Sequence, residues 1–348
     1  MLKITTPFRE REEVIPLIEA GADELYCGYL SPEWARRYTS LEFERKGGGS
    51  NFTDLVKLKQ ALELAHTKKI PVYLTLNGLY VNSQYPLLLQ TLEELNKTDI
   101  DGYIVADIGL LLTLRKLGCK KEIHISTGGT VFNSEAVCFY KDLGASRIVL
   151  DRQVSLDAIK ILSRDNPDID FEVFILNTLC VYIDGFCTFL HTSARDRLED
   201  ISARHWHKDE KVQVVSSYDP HGEGDACCLK YSIQVYDGVL RKRIYSDKIK
   251  PTIYKHLIDG CECGACAIYD IAKAKVKSIK IVGRQLNPPK RLKDIKFIRS
   301  VLDILMQNTD ISREDFISQT QKLYREAYNY DKQCRGNNCY HPEVLCVM

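Results

Sequence analysis

Long apolar runs are what this chain most conspicuously lacks. No stretch approaches the ~20 consecutive apolar residues that span a bilayer, and the opening MLKITTPFRERE has no apolar core of the kind a secretory signal needs. The expected location is therefore cytoplasmic. In that reducing setting the chain's 13 cysteines are not expected to form a disulfide framework. Net charge is nearly absent as well: the formal value of +1 gives no global reason to expect a nucleic-acid or membrane partner. No glycine-rich dinucleotide loop follows any predicted strand, and there is no P-loop, Gly-x-Ser-x-Gly elbow or His-Glu-x-x-His helix. The radical-SAM triad and the ferredoxin cysteine run are missing too. A peptidase would thus have no nucleophile–base pair visible in sequence.

What is present is an alternation of short strand-like runs with helical patterns, the mark of a parallel sheet wrapped by helices. Eight strands are predicted: Lys3–Thr6, Glu24–Cys27, Val72–Leu76, Gly102–Ala106, Glu122–Ser126, Arg147–Leu150, Phe171–Leu176 and Lys277–Val282. Most are continuous apolar runs, as expected of strands covered on both faces. Helices are predicted over Glu10–Ala20 with a stop at Gly21, Phe52–Thr67 with Asn51 as its N-cap, Pro86–Asn96, Leu110–Leu117, Ser134–Leu143, Ser155–Ser163 and Lys290–Gln307. Eight strands with intervening helices is the count of a (β/α)8 TIM barrel. The expected organisation is a barrel domain over residues 1–310, a cysteine-rich insert over 177–270 between strands seven and eight, and a C-terminal extension over 311–348.

Barrel enzymes carry their sites at the C-terminal ends of the strands. Those ends hold Asn77, Asp107, Ser126, Thr127, Arg152, Asn177 and Arg284. Such a ring suits a polar, anionic small molecule, because two arginines can each hold a carboxylate bidentately. His124 lies inside a strand, where a packed imidazole and an acid–base group are both readings. In the second connection, the glycines at 47–49 precede Ser50 and Asn51; their amides offer an anion site or simply a flexible loop.

The insert is unusual for its thiols: Cys180, Cys187, Cys227, Cys228, Cys261, Cys263 and Cys266. Cys180 and Cys187 follow the seventh strand and so share the face of the polar ring. With Cys228 or Cys227, and with Cys263 and Cys266, they offer thiolates for a 4Fe–4S cluster or a tetrahedral zinc, between which spacing does not choose. Cys27, Cys119 and Cys138 read as isolated thiols. Cys334, Cys339, His341 and Cys346 near the C-terminus are either a second metal set or, as the favoured reading, a mobile tail. The basic stretches Arg241–Lys255 and Lys273–Lys296 read as solvated faces, without an RNA-binding motif.

Several strings together resemble the collagenase-like peptidase family, U32: GADELYCG (21–28), GGSNFTDL (48–55), VYLTLN (72–77), DGYIVADIGL (101–110), IHIST (123–127), LGASRIVLDRQVSL (143–156), FEVFILNTLC (171–180), DGFC (184–187) and KSIKIVGR (277–284). The resemblance implies a 4Fe–4S cluster and a part in oxygen-independent hydroxylation, with a prephenate-like oxygen donor. It places ligands at Cys180, Cys187 and Cys227 or Cys228, with a fourth among Cys261, Cys263 and Cys266, and sets Arg152 and Arg284 on the active face. Asp107 and His124 are the expected proton-handling groups, and Asn51, Asn77, Ser126 and Asn177 the expected substrate contacts. A small molecule or peptide is the expected substrate, a related family member an expected partner, and nucleic acid ranks lower. Val282, Thr127-Gly128 after Ser126, and Phe186 depart from the usual pattern of the family.

Overall fold

The computed structural model describes residues 2–38, 50–180, 182–186, 262–284, 286–328 and 339–345. The expectations for Cys187, Cys227, Cys228, Cys261, Cys334, Cys346 and the glycines at 47–49 lie outside them. The eight predicted strands all form: β1 Lys3–Pro7, β2 Glu24–Gly28, β3 Val72–Leu76, β4 Gly102–Val105, β5 Glu122–Ile125, β6 Arg147–Val149, β7 Asp170–Leu176 and β8 Ser278–Ile281. They pair in parallel in sequence order, and β8 returns to β1 to close the barrel. This is the (β/α)8 fold. The β-branched and aromatic content of these runs suits strands with both faces buried. Ile4, Leu25, Leu74, Val105, Ile148, Ile175 and Ile279 are all inaccessible to solvent within one continuous core.

The described helices are α1 Val14–Glu19, α2 Pro32–Arg37, α3 Leu55–Thr67, α4 Tyr85–Asn96, α5 Ile108–Lys116, α6 Ser134–Asp142, α7 Leu156–Asp165, α8 Ile268–Lys273, α9 Pro288–Gln307 and α10 Arg313–Tyr328. Many of their starts are set by side-chain caps. Ser31, Asp54, Asp107, Asn133, Ser155 and Asn287 each accept a backbone N–H in the first turn. The N-cap of α3 is therefore Asp54 and not Asn51, which has other work. Gly21 ends the first helical segment at φ +112°, as its position predicts. No helix among the described residues is long and apolar enough to cross a membrane.

Two features differ from the sequence expectation. Residues 313–328 form a regular helix, α10, whose Phe316, Thr320 and Tyr324 are buried at four-residue spacing; α10 packs against α9. Residues 339–345 are not a loose tail. Tyr340, His341 and Val344 are buried, Cys339 pairs with Cys263 in a parallel bridge, and Glu343 accepts the Leu156 N–H that opens α7. Burying an aromatic ring and a valine, while satisfying a helix N-terminus, gives this short segment the free energy to dock.

Candidate functional site

The barrel interior is filled from below by charge. Arg147 Nη1 and Nη2 donate to the two Glu24 carboxylate oxygens at 2.6 and 3.1 Å, and Nη1 also reaches Glu172 at 3.1 Å. Thr5, Ser278 and Lys280 donate to Glu172, and Lys3 and Thr5 to Glu24. Burial alone would raise the Glu172 carboxyl, but Lys280 and Arg147 overcome it and hold the group at about 2. Glu24 is likewise pulled below its ordinary value by Arg147 against the penalty of burial. These residues come from strands and satisfy one another, so they read as a scaffold.

Above this layer, the C-terminal ends of the strands open into a cavity of about 130 Å³. Tyr26, Ile104, Val149, Phe174 and Val282 give it apolar walls, and Thr75, Asn77, Ser126 and Thr127 give it amide and hydroxyl groups. Arg152, Lys280 and Arg284 bring positive charge, Asp184 one carboxylate, and Cys180 a thiol. Five of the predicted strand-end residues, Asn77, Ser126, Thr127, Arg152 and Arg284, are thereby brought together with Cys180, predicted to follow the seventh strand.

Each cation is held differently. Arg284 Nη1 donates to Asn51 Oδ1 at 2.6 Å and to Thr75 Oγ1 at 3.2 Å. Asn51 thus stands behind the arginine and orients it, without lining the cavity. The approach is close: a side chain at Gly28 would run into Asn51 and Arg284. Arg152 packs over the Phe174 ring with 4.1 Å to its centroid and pairs with Asp184 at 2.5 Å. Lys280 lies 4.0 Å from the Tyr26 ring centroid and donates to Glu172 at 2.6 Å. Burial pulls its ammonium below the ordinary lysine value, with Glu172 pushing back.

The chain leaves β7 through a sharp corner. Asn177 and Thr178 are both left-handed, at φ 66° and 53°, a conformation that is costly for a β-branched residue. This corner returns Thr178 and Cys180 to the cavity wall. Asp151 anchors the segment beyond the corner: its Oδ2 accepts the Asp184 N–H at 3.0 Å, and burial raises its carboxyl above the ordinary value. Gln153 adds a bond to the Cys180 carbonyl.

Other predicted residues take structural posts. Asp107 caps α5 through Leu110 N–H and holds the Tyr85 hydroxyl and the Tyr80 N–H; it does not line the cavity. Burial and then Asp107 push the Tyr85 phenol up to about 12. His124 is fully buried, lies tilted against the Tyr73 ring with centroids 4.3 Å apart, and meets Glu122 through Nε2 at 2.9 Å. That contact lies at the N-terminal end of the strand, away from the cavity, and burial lowers the imidazole pKa. Asn177 Nδ2 ties the end of β7 to the Val282 carbonyl and to Asp294. Lys280, Tyr26 and Thr75 were missed because they lie within strands; the signal available was inward parity, one or two residues before the strand ends. Asp184 and Asp151 carried no such signal.

Among the described thiols, Cys180 Sγ accepts the Tyr182 N–H and Cys263 Sγ the Ala265 N–H, each at 3.4 Å. Backbone donors aimed at sulfur favour thiolate and are typical surroundings for metal-bound cysteine. The donor chemistry therefore fits a thiolate-held group. No three His, Cys, Asp or Glu side chains among the described residues are arranged to hold a metal ion by themselves. Cys266 is packed into the main core. Cys27 is fully buried, and its thiol pKa is raised by that burial. Cys138 is exposed.

A (β/α)8 barrel with a cationic, thiol-bearing cavity at the strand C-termini defines the class. The model of peptidase family U32 matches residues 9–336, and the chain belongs to that family. It is similar to an uncharacterized protease of Methanocaldococcus jannaschii, at 25% identity over 99% of this chain and 76% of that protein. It is also similar to tRNA hydroxylation protein P of Helicobacter pylori, at 30% identity over 53% of this chain and 42% of that one. A third relative is a 23S rRNA 5-hydroxycytidine synthase of Escherichia coli, at 26% identity over 94% of this chain and 44% of that one. The chain thus spans less than half the length of these two RNA-hydroxylation relatives.

Proposed function

We propose that this chain is an iron–sulfur protein that assists an oxygen-independent hydroxylation, or a related modification, of a small molecule or peptide. The observation that carries the reading is the position of Cys180: it shares one cavity wall with Arg152, Lys280 and Arg284. A 4Fe–4S cluster held by Cys180 and Cys263, with its remaining positions drawn from other thiolates such as Cys187, Cys228 and Cys266, would supply electrons and Lewis acidity at the cavity mouth. Zinc on the same thiolates is the alternative that metal analysis separates.

The protein's own residues do the rest. Arg284, oriented by Asn51 and Thr75, and Lys280, fixed by Glu172, face the space where an anionic oxygen donor binds; a keto-dicarboxylate of prephenate-like chemistry matches their charge. Tyr26 and Phe174 give the donor a dry floor and wall. Arg152 is tied to Asp184, so a carboxylate that takes Arg152 must displace Asp184 first. Lys280 and Asp184 are titratable groups of the cavity, and they replace His124 and Asp107 as candidates for holding or moving a proton.

A second reading makes an RNA base the acceptor. It is favoured by the names of the two hydroxylation relatives, against the lower rank that net charge gave to nucleic acid. The peptidase reading is weaker, because no histidine stands beside Cys180, Ser50 or Ser126 among the described residues of the cavity wall.

Anaerobic purification of the full chain is the test. A brown protein carrying iron and acid-labile sulfide supports the proposal, and Cys180→Ala is expected to reduce the retained iron at least ~10-fold, the lower end of what losing even a supporting partner costs a metal site. A colourless protein without iron after anaerobic reconstitution contradicts it.

A further inference from the structure

The C-terminal motif around Cys339 and His341 has no role in the proposed function, yet its placement is specific. Cys339 and Cys263 are direct partners in a parallel bridge, so their backbones run about 4.8 Å apart and their side chains leave on the same side. The Tyr340 N–H closes the bridge on the Cys263 carbonyl at 3.2 Å. Tyr340 then reaches the Asn177 carbonyl with its hydroxyl. Gly264 has no room for a side chain, since Tyr340 Cβ lies 2.9 Å from where its own Cβ would be. The segment is therefore seated on the Cys263–Cys266 turn.

A second, independent observation comes from His341. It is 4% exposed, and neither ring nitrogen has a hydrogen-bond partner. Nδ1 faces Glu343 Oε1 at 3.7 Å, an ion-pair contact that helps hold the Glu343 carboxyl below its ordinary value, so the nitrogen left without any partner is Nε2. Cδ2, the carbon bonded to Nε2, is 3.5 Å from the Cβ position of Gly264. The Nε2 edge thus lies against the Cys263–Cys266 turn. A buried imidazole nitrogen without a partner is costly, and an ion or ligand is one of the things that such a group marks in native proteins.

We infer that residues 339–345 form a clasp that brings Cys339, as a thiolate ligand, to the same metal centre as Cys263, where His341 Nε2 finds the polar partner it otherwise lacks. This rests on the iron–sulfur reading. Cys339 lies outside the ligand set that the family resemblance implies and takes one of the four places in it, Cys180 and Cys263 keeping theirs. The clasp also gives a reason for the docking: the segment covers the turn that carries Cys263, and metal binding and segment docking support each other.

The experiment uses the full chain, anaerobically reconstituted with iron and sulfide, and the same protein stripped with a chelator. Each is pulsed with N-ethylmaleimide, and labelling is followed cysteine by cysteine by mass spectrometry. Cys339 is expected to label at least ~10-fold more slowly in the loaded protein, in step with Cys263, while exposed Cys138 labels equally in both. In parallel, Cys339→Ser is expected to lower the iron retained after desalting by a similar factor and to change the electron paramagnetic resonance of the reduced protein; Cys138→Ser is expected to do neither. Loaded protein in which Cys263 is protected and Cys339 is not, together with unchanged iron and spectra in Cys339→Ser, overturns this inference alone. Failure of the parent protein to take up iron overturns it together with the proposed function.

Discussion

The inward charges of the barrel form two storeys with different kinds of partner. In the lower storey Arg147, Glu24 and Glu172 are bonded to strand residues, among them Lys3, Thr5, Ser278 and Lys280. In the upper storey Arg284 adds to one strand partner, Thr75, its shorter bond to Asn51 from the β2–α3 connection, and Arg152 is tied to Asp184 from the segment after β7. Strand partners are fixed by the closed ladder, whereas connection partners can move without opening the barrel. The lower storey therefore holds the fold and the upper one is free to exchange a protein partner for a ligand. Lys280 joins them, with Glu172 below it and the cavity above.

The comparison breaks first at Arg147. Replacing it with methionine leaves Glu24 and Glu172 buried without their shared cation, and is expected to cost about 3–5 kcal/mol of stability. Denaturant unfolding measures this, and a loss below ~1 kcal/mol would show that the lower storey is not a scaffold. Acid tests the same layer without mutation. The Glu172 carboxyl is lowered in the folded state to about 2 from an ordinary 4.5, so its contribution is fully present above pH ~4.5 and is lost as pH falls towards ~2. The melting temperature should decline through that window, and the decline should be shallower in Glu172→Gln, measured against that variant's own neutral-pH value.

Smaller effects are expected in the upper storey. Asp184→Asn removes the carboxylate that competes for Arg152, so a dicarboxylate such as malonate should bind on the order of 10-fold more tightly, ~1.4 kcal/mol, by calorimetry. Weaker binding would mean that Asp184 positions Arg152 for the ligand instead of competing with it. The smallest functional effect belongs to His124→Asn. Its Nε2 contact is with Glu122, so a loss of about 1 kcal/mol in stability is expected, with iron content and malonate affinity unchanged. A large drop in either would return His124 to the active face.

The fold was legible because a strand covered on both faces advertises itself: Val72–Leu76 is a continuous apolar run, and its ends in the structure are those read from sequence. Helix α10 was less visible because its buried side chains are few; Phe316, Thr320 and Tyr324 at four-residue spacing were the available signal. Position at a strand end pointed to Asn77, Ser126, Arg152 and Arg284, and position after β7 to Cys180; all five line the cavity. The same rule misplaced Asp107 and Asn177, since a residue there can equally cap the next helix or tie down a corner. Asp107 precedes a helix, and that alone favoured a cap. Lys280 was passed over as one of many lysines, because only the closed barrel shows which strand face looks into the cavity. The docking of residues 339–345 depends on contacts with Cys263, Asn177 and Leu156, far away in sequence, and no local pattern could announce it.

The central claim is that the thiol site and the cationic cavity are one site, meeting at Cys180. The most direct measurement is the electron paramagnetic resonance of the reduced, iron-loaded full chain, recorded with and without a saturating dicarboxylate. The account predicts that the ligand changes the spectrum, and that Arg284→Met abolishes the change while retaining the iron. A spectrum identical with and without ligand, in a protein shown by calorimetry to be saturated, would contradict it.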